Sequence, residues 1–399
     1  MTKRTVDEHA AHVASILQSA LSPRSETIEI TEALGRLTHE PVASPVDLPL
    51  FRNSQMDGFA VRSADVASAS AATPVTLPVV GEIAARPIEP APLEPNTAVR
   101  IMTGAVIPEG ADAIVPVEDT TSDATEVTIA RSRTAGEYVR ARGSDVRAGD
   151  MLLPAGQRLG SRHLAVLAAA GLTTVEVRAL VRVAIITTGS ELIEPGSIPA
   201  LGEVFDSNGV ALAAAVTASG GVVASRMHVK DEPSDMLTAL AGAAASADLI
   251  ITSGGISMGD YEVVRETLEP LGAMVAQVAM QPGGPQATAE FDGVAVLCFP
   301  GNPVSTQVSF EVFLAPLLRA AAGLPAAQRK QRAITTAVRS VAGKRQFLRG
   351  RAVGDSGVEL VAGPSSHLVA GLAASDLLVV IPEDITELAA GDTAETWEL

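Results

Sequence analysis

Between residues 181 and 323 the chain alternates two patterns in a regular order. "VRVAIIT", "ADLIITS" and "GVAVLCF" are short runs apolar on successive residues, and each leads into a turn rich in Gly, Ser or Pro. Between them lie segments with helical spacing, near 208–219, 233–246, 260–272 and 303–323, and "GVVASRMHV" reads as a further strand. Strands apolar on both faces that alternate with helices predict a mostly parallel sheet covered on both sides, an α/β core.

The flanking segments follow other periods. Val6, Val13, Ile16 and Leu17 fall on one stripe and predict a helix over 5–20. From 46 to 142 short apolar pieces ("GFAV", "PVTLPVVGEI", "AVRIM", "DAIVPVE", "EVTIA") are broken by Pro, Gly and Thr, the punctuation of a small β domain. "RLGSRHLAVLAAAGLTTVEV" predicts a helix with Ser161 as N-cap and Gly171 as stop, followed by a strand. Past residue 325 the pieces "RAITTAVRS", "QFLRGRAV", "VELVAG" and "DLLVVIP" predict a C-terminal β module.

Length and charge narrow the function. At 399 residues the chain exceeds what one hydrophobic core of roughly 250–300 residues supports, so several domains are expected. No run approaches the ~18 uninterrupted apolar residues of a membrane helix, and the opening residues carry acid and His where a signal peptide is apolar; neither a membrane nor export is expected, and cytoplasm is. Cys298 is the single cysteine, which excludes an intrachain disulfide and a thiolate metal cluster. A net charge of −17 argues against a nucleic-acid partner, because such binding needs Lys and Arg to neutralise phosphates. An anionic ligand would need a local cradle or a bridging cation.

Three strand-to-helix junctions carry unusual chemistry. "IITTGSEL" places Thr187, Thr188, Gly189 and Ser190 ahead of Glu191; "ITSGGISMGD" places Thr252, Ser253, Gly254, Gly255 and Ser257 ahead of Asp260; "FPGNPVS" places Pro300, Gly301, Asn302, Pro303 and Ser305 at a helix start. In open parallel sheets ligands bind beyond the carboxyl ends of the strands, and glycine lets backbone approach an oxyanion closely. Each junction alone also reads as an ordinary turn. Glu191 and Asp260 read equally as first-turn acids favoured by the helix dipole or as Mg²⁺ ligands, since Mg²⁺ takes one or two carboxylates plus substrate phosphates. Asp57, Asp145 and Asp231 sit in further turn contexts that periodicity does not place beside this edge.

Taken in order, "NSQMDGFAV", "RIMTGAVIPEGADAIVPVED", "RGSDVRAGD", "TTGSELIEPG", "TSGGISMGDYE" and "FPGNPVS" closely resemble the molybdopterin molybdenumtransferase family, over nearly the whole chain. The resemblance implies a homodimer of four-domain subunits: a helical linker domain (1–45 with 143–178), an inserted β-rich domain (46–142), a molybdopterin-binding α/β domain (179–324) and a C-terminal β barrel (325–399). It implies Mg²⁺-dependent insertion of molybdate into adenylylated molybdopterin with release of AMP, at a cleft to which a second subunit contributes. Transient contact with the adenylyltransferase and with molybdoenzymes follows from that role. By matching motifs, Asp57, Thr103, Asp145, Glu191, Asp231 and Asp260 are the implied catalytic residues, Glu191 and Asp260 the implied metal ligands, and Ser366 of "PSSHL" a residue bordering the cleft.

The chain departs from the family in one segment. Where the resemblance places three lysines, "VAQVAMQPGGPQATAEF" has Gln277, Gln281 and Gly284. Arg52, Arg62, Arg100 and Arg142 lie near the motifs and are candidates to replace that charge. The alternative is a catalytically weakened relative that binds or delivers molybdopterin or its product. The related adenylyltransferase activity resembles a free-standing α/β domain, and the β-rich segment 46–142 argues against it.

Overall fold

The computed structural model describes residues 2–256 and 263–399. Ser257 and Asp260 lie outside the described residues. The chain divides into two compact units, residues 1–25 with 178–399, and residues 26–177.

In the first unit the elements are β1 (Thr2–Arg4), α1 (Val6–Ile16), β2 (Arg182–Thr188), α2 (Ser207–Ala218), β3 (Val222–Val229), α3 (Pro233–Ala244), β4 (Leu249–Ser253), α4 (Val263–Leu268), β5 (Met274–Val278), β6 (Pro285–Phe291), β7 (Val294–Phe299) and α5 (Pro303–Ser309). Seven strands form one sheet in the order β1-β5-β6-β7-β4-β2-β3. β7, β4, β2 and β3 run parallel, as does β1 on β5, while β6 is antiparallel to both neighbours. The expected mostly parallel sheet is present, with an antiparallel pair that the sequence pattern did not announce. Gln277, Gln286 and Thr288 interrupt the apolar run of those two strands, although Gln286 and Thr288 are buried.

Successive residues of the central strands enter opposite cores, as the two-residue period of a strand requires. Val183, Ile185, Leu249, Ile251, Leu297 and Phe299 pack with α1, α2 and α5, whereas Ala184, Ile186, Ile250, Val296 and Cys298 pack with α3 and α4. Both faces are therefore dry, which explains the continuous apolar runs. α1 has a complete capping box: Thr5 accepts from Glu8 N–H (3.1 Å) and Glu8 accepts from Thr5 N–H (2.8 Å). Val6, Val13 and Leu17 pack into the sheet core, so residues 1–25 belong with the α/β sheet and not with the linker segment expected over 1–45. The pairing of β1 with β5 fixes that placement, and no local pattern at residues 2–4 marks it.

After α5 the helix runs through one π turn (Phe310–Leu314) and continues as α6 (Ala315–Ala321). The C-terminal part then forms β8 (Arg329–Ile334), β9 (Arg345–Val353), β10 (Gly357–Leu360), β11 (Leu377–Ile381) and β12 (Thr393–Glu398). Hydrogen bonding in the order β9-β10-β8-β12-β11 returns from β11 to β9 and closes a five-stranded barrel around Ile334, Leu348, Val358, Val379 and Ile381.

The second unit carries a six-stranded sheet, in spatial order Ala113–Pro116, Gly58–Val61, Ala98–Ile101, Val75–Ile83, Glu126–Ile129, Thr120–Ser122. Two apolar clusters form its faces, one around Phe59, Val61 and Val115, the other around Ala60, Ile101 and Ile114. Gly58 lies so close to the neighbouring strand that a Cβ there would sit 2.1 Å from Val115 O. The helix Ser161–Ala169 begins one residue earlier than its serine suggested: Gly160 is the N-cap, and its N–H donates to His163 Nδ1 (2.9 Å). Among the described residues no helix is long and apolar enough to cross a membrane.

Candidate active site

The parallel register aligns the strand ends that carry the three loops. Thr187 pairs with Ser253, and Ser253 with Phe299, so β2, β4 and β7 finish in one row and their loops leave side by side. Close backbone approach then depends on glycine. A Cβ on Gly254 (φ +99°) would lie 2.7 Å from both the carbonyl oxygen and Oγ1 of Thr188, and one on Gly301 would lie 3.2 Å from Gly254 Cα.

These loops line a cleft of about 990 Å³ in the first unit. Thr188, Gly189, Glu191, Asp231, Ser253, Gly254, Gly255, Pro300, Gly301, Asn302, Pro303, Ser305 and Ser366 all border it. The barrel closes one side: Met280–Gln281 pairs in parallel with the start of β9, and Val304 N–H donates to Ser366 O (3.1 Å), which brings the segment Pro364–His367 to the start of α5.

Hydrogen bonds lock the loops together. Asn208, in the first turn of α2 and buried, donates through Nδ2 to Ser253 Oγ (2.9 Å) and to Gly301 O (2.7 Å), so one amide ties α2, β4 and the β7–α5 loop. Thr306 Oγ1 donates to Pro300 O (2.5 Å). Asp206, also buried, accepts from Thr187 Oγ1 (3.0 Å) and caps α2 by accepting from Gly209 N–H (2.9 Å). The start of α2 is thereby neutralised by its own carboxylate and offers nothing extra to an anion. Asn302 at the start of α5 forms no side-chain cap bond.

Ser190 does not border the cleft, but its N–H donates to Asp231 Oδ2 (2.8 Å), joining the loops after β2 and β3. His228 Nε2 bonds Gly189 O (2.9 Å). Glu191 folds back over its own glycine: a Cβ on Gly189 would lie 2.7 Å from either carboxylate oxygen. Thr188 is 5% exposed, and its Oγ1 has no hydrogen-bond partner among the described residues, a hydroxyl held at the cleft with unused capacity.

Asp57, Thr103 and Asp145 lie in the second unit. Gly58 pairs with Ile101, so the turns carrying Asp57 and Thr103 are neighbours, and Thr103 donates both its N–H (2.7 Å) and its Oγ1 (2.7 Å) to Asp57 Oδ1. These bonds, with Arg100 contributing attraction, hold the Asp57 carboxyl below its ordinary range. Asp145 is exposed, and its backbone N–H donates to Leu48 O.

The segment without lysines occupies a defined place. Gln277 lies on β5, with its amide nitrogen 2.3 Å from where a Cβ on Gly284 would be, and Gln281 borders the cleft, accepting from Gln346 Nε2 (2.6 Å). No Lys or Arg is among the described residues lining the cleft. Arg52, Arg62, Arg100 and Arg142 all belong to the second unit. A cation that sequence reading missed is Arg349 in β9, 1% exposed: Nη2 donates to Gly363 O, while Nε and Nη1 have no partner among the described residues. Burial lowers its pKa from the usual arginine value. Asp206, Asn208 and Phe205 were also missed; the one available signal was a cap-forming "DSN" opening a helix.

Three family descriptions cover the chain in sequence: "MoeA N-terminal region (domain I and II)" over residues 4–171, "Probable molybdopterin binding domain" over 184–320 and "MoeA C-terminal region (domain IV)" over 332–399. A Mycobacterium tuberculosis protein named Molybdopterin molybdenumtransferase 2 is 41% identical across 99% of this chain and all of its own length. The chain belongs to the molybdopterin molybdenumtransferase family. Molybdopterin molybdenumtransferase 1 of the same organism is 34% identical over 98% of both chains. A crystal structure described as the molybdopterin biosynthesis moea protein from Pyrococcus horikosii matches with TM-score 0.80 at 31% identity over 98% of each chain. As a member of this transferase family the protein is an enzyme of molybdenum cofactor biosynthesis, and its multidomain α/β architecture with a C-terminal barrel is that of its structural relatives.

Proposed function

We propose that the protein inserts molybdate into adenylylated molybdopterin in a Mg²⁺-dependent step that releases AMP. The observation that carries this reading is the cleft itself: three glycine-rich loops at one sheet edge, bordered by Glu191 and Asp231 and by no Lys or Arg among the described lining residues. A phosphate-bearing ligand enters an acid-lined cleft favourably only with a cation between them.

The donor set fits Mg²⁺. Oxygen donors border the cleft, among them the carboxylates of Glu191 and Asp231. Mg²⁺ takes one or two protein carboxylates and completes its shell with water and substrate phosphates. Glu191 and Asp231 would hold it, with Asp260 assigned to the same role from its motif. When bound, the cation supplies charge neutralisation and polarisation of the phosphoryl oxygens.

The protein's own residues supply positioning. Asn208 fixes the spacing between the loops after β4 and β7, Gly254 and Gly301 leave room for a ligand against backbone, and Ser190 N–H orients Asp231. Asp57, Thr103 and Asp145, a homodimeric state, and work in the cytoplasm with the adenylyltransferase and recipient molybdoenzymes complete the proposal. A catalytically weakened carrier is not favoured, since relatives named as transferases match across the full chain.

The test is AMP release from adenylylated molybdopterin by the purified protein, with and without Mg²⁺ and molybdate. Release that needs both, and falls at least tenfold in Glu191→Gln and Asp260→Asn, is expected. Full release without a divalent cation would sink the reading.

A further inference from the structure

The cleft has one feature that phosphate and metal chemistry leave unused. Phe205 is 45% exposed at its border and supplies the only phenyl ring among the described lining residues. The chain has eight phenylalanines, and five of them (Phe59, Phe299, Phe310, Phe313 and Phe347) are at most 2% exposed in the cores. An aromatic side chain left in water beside acids and glycine loops forgoes the burial that its type normally gains.

Its backbone is held on every side. Ile193 pairs with Phe205 in a short parallel ladder, Val204 N–H donates to Glu191 O (2.8 Å) and Asp206 N–H to Ile193 O (2.8 Å). The next residue, Asp206, is fixed by Thr187 and by the start of α2. The exposed ring therefore stands on a fixed root, beside Leu192 and Val204, which also border the cleft. An exposed ring on a rigid mount beside an oxyanion-suited edge has the form of a stacking platform.

We infer that Phe205 is a substrate-positioning residue whose ring stacks on the planar heterocycle of the ligand, while the glycine-rich loops receive its phosphate. This rests on the proposed function, which gives the ligand two such rings, pterin and adenine. Stacking is geometrically tolerant, because any heteroaromatic ring has a π-face. The experiment therefore separates the two sources.

AMP, molybdopterin and inorganic pyrophosphate are each titrated, with Mg²⁺ present, into the full-length wild type, Phe205→Ala, Phe205→Tyr and Phe205→Trp. Calorimetry gives the affinities, and the Trp variant adds a local fluorescence report in a chain with a single native tryptophan. Expected is a loss of about 5- to 150-fold in Phe205→Ala for whichever ring ligand stacks, the range that base stacking on an aromatic side chain supplies. Phe205→Tyr should retain that affinity, Phe205→Trp should be quenched by the same ligand, and pyrophosphate should bind wild type and Phe205→Ala alike. Equal affinity of wild type and Phe205→Ala for both ring ligands overturns the stacking role and leaves the proposed function standing. A wild type that binds neither ring ligand overturns both. An equal loss for pyrophosphate also overturns it, because the ring would then be supporting the loops and not the heterocycle.

Discussion

Asn208 is the side chain on which the geometry of the cleft turns, and Asn208→Ala measures it. The change removes two hydrogen bonds, a buried one to Ser253 Oγ and a part-buried one to Gly301 O. Net hydrogen bonds contribute about 0.5–1.5 kcal/mol each, and a buried acceptor left without a donor costs about 1–3 kcal/mol. Ser253 keeps contacts with Pro300 O (3.5 Å) and Thr306 Oγ1 (3.3 Å), and Gly301 belongs to an exposed turn where water can replace the lost donor, so both losses are partly offset. The expected cost is therefore about 1–3 kcal/mol, the net worth of two hydrogen bonds. Asn208→Asp should cost at least as much, because it sets a carboxylate oxygen against the Gly301 carbonyl. Urea denaturation read by circular dichroism gives the stability, and pyrophosphate binding with Mg²⁺ gives the integrity of the site. A double-mutant cycle with Ser253→Ala isolates the shared bond, and a coupling of at least about 0.5 kcal/mol is expected. If Asn208→Ala is within 0.5 kcal/mol of wild type and binds pyrophosphate unchanged, the amide does not organise the site.

Three further outcomes follow from the same structure. Gly254→Ala forces a side chain into φ +99° with its Cβ 2.7 Å from Thr188, so it should destabilise by about 1–3 kcal/mol and weaken pyrophosphate binding at least tenfold; wild-type binding would contradict the close approach. His9 is buried edge-on against Phe313 (ring centroids 4.7 Å), and burial, with Arg4 and His12 adding repulsion, lowers its pKa to about 3. The folded state thus disfavours the proton: this contribution is complete above the unfolded value near 6.5 and is lost at about 1.4 kcal/mol per unit as pH falls from there toward 3. His9→Phe should flatten that limb of a stability–pH curve, and an unchanged slope would refute the assignment. Cys298 is fully buried and its thiol is pushed up to about 12, so a thiol reagent at pH 8 should label it only on unfolding; stoichiometric labelling of native protein would contradict its burial.

The chain's own pattern carried much of this. Continuous apolar strands with intervening helical periods announced a doubly covered parallel sheet, because a strand buried on both faces cannot afford polar alternation. Glycine and hydroxyl residues at three strand ends marked the edge where the cleft lies, and the ordered motifs pointed to the family to which the chain belongs. Tertiary structure decided the rest. The alignment of Thr187, Ser253 and Phe299 in one row comes from strand register, which no single strand encodes. The placement of residues 1–25 on the α/β sheet comes from a pairing some 270 residues away in sequence. Asp206 is a helix cap and Phe205 an exposed cleft ring although they are adjacent residues. Local periods state which face of a strand or helix is apolar; which loops meet, and which polar atoms keep unused bonds, is fixed only when distant segments pack together.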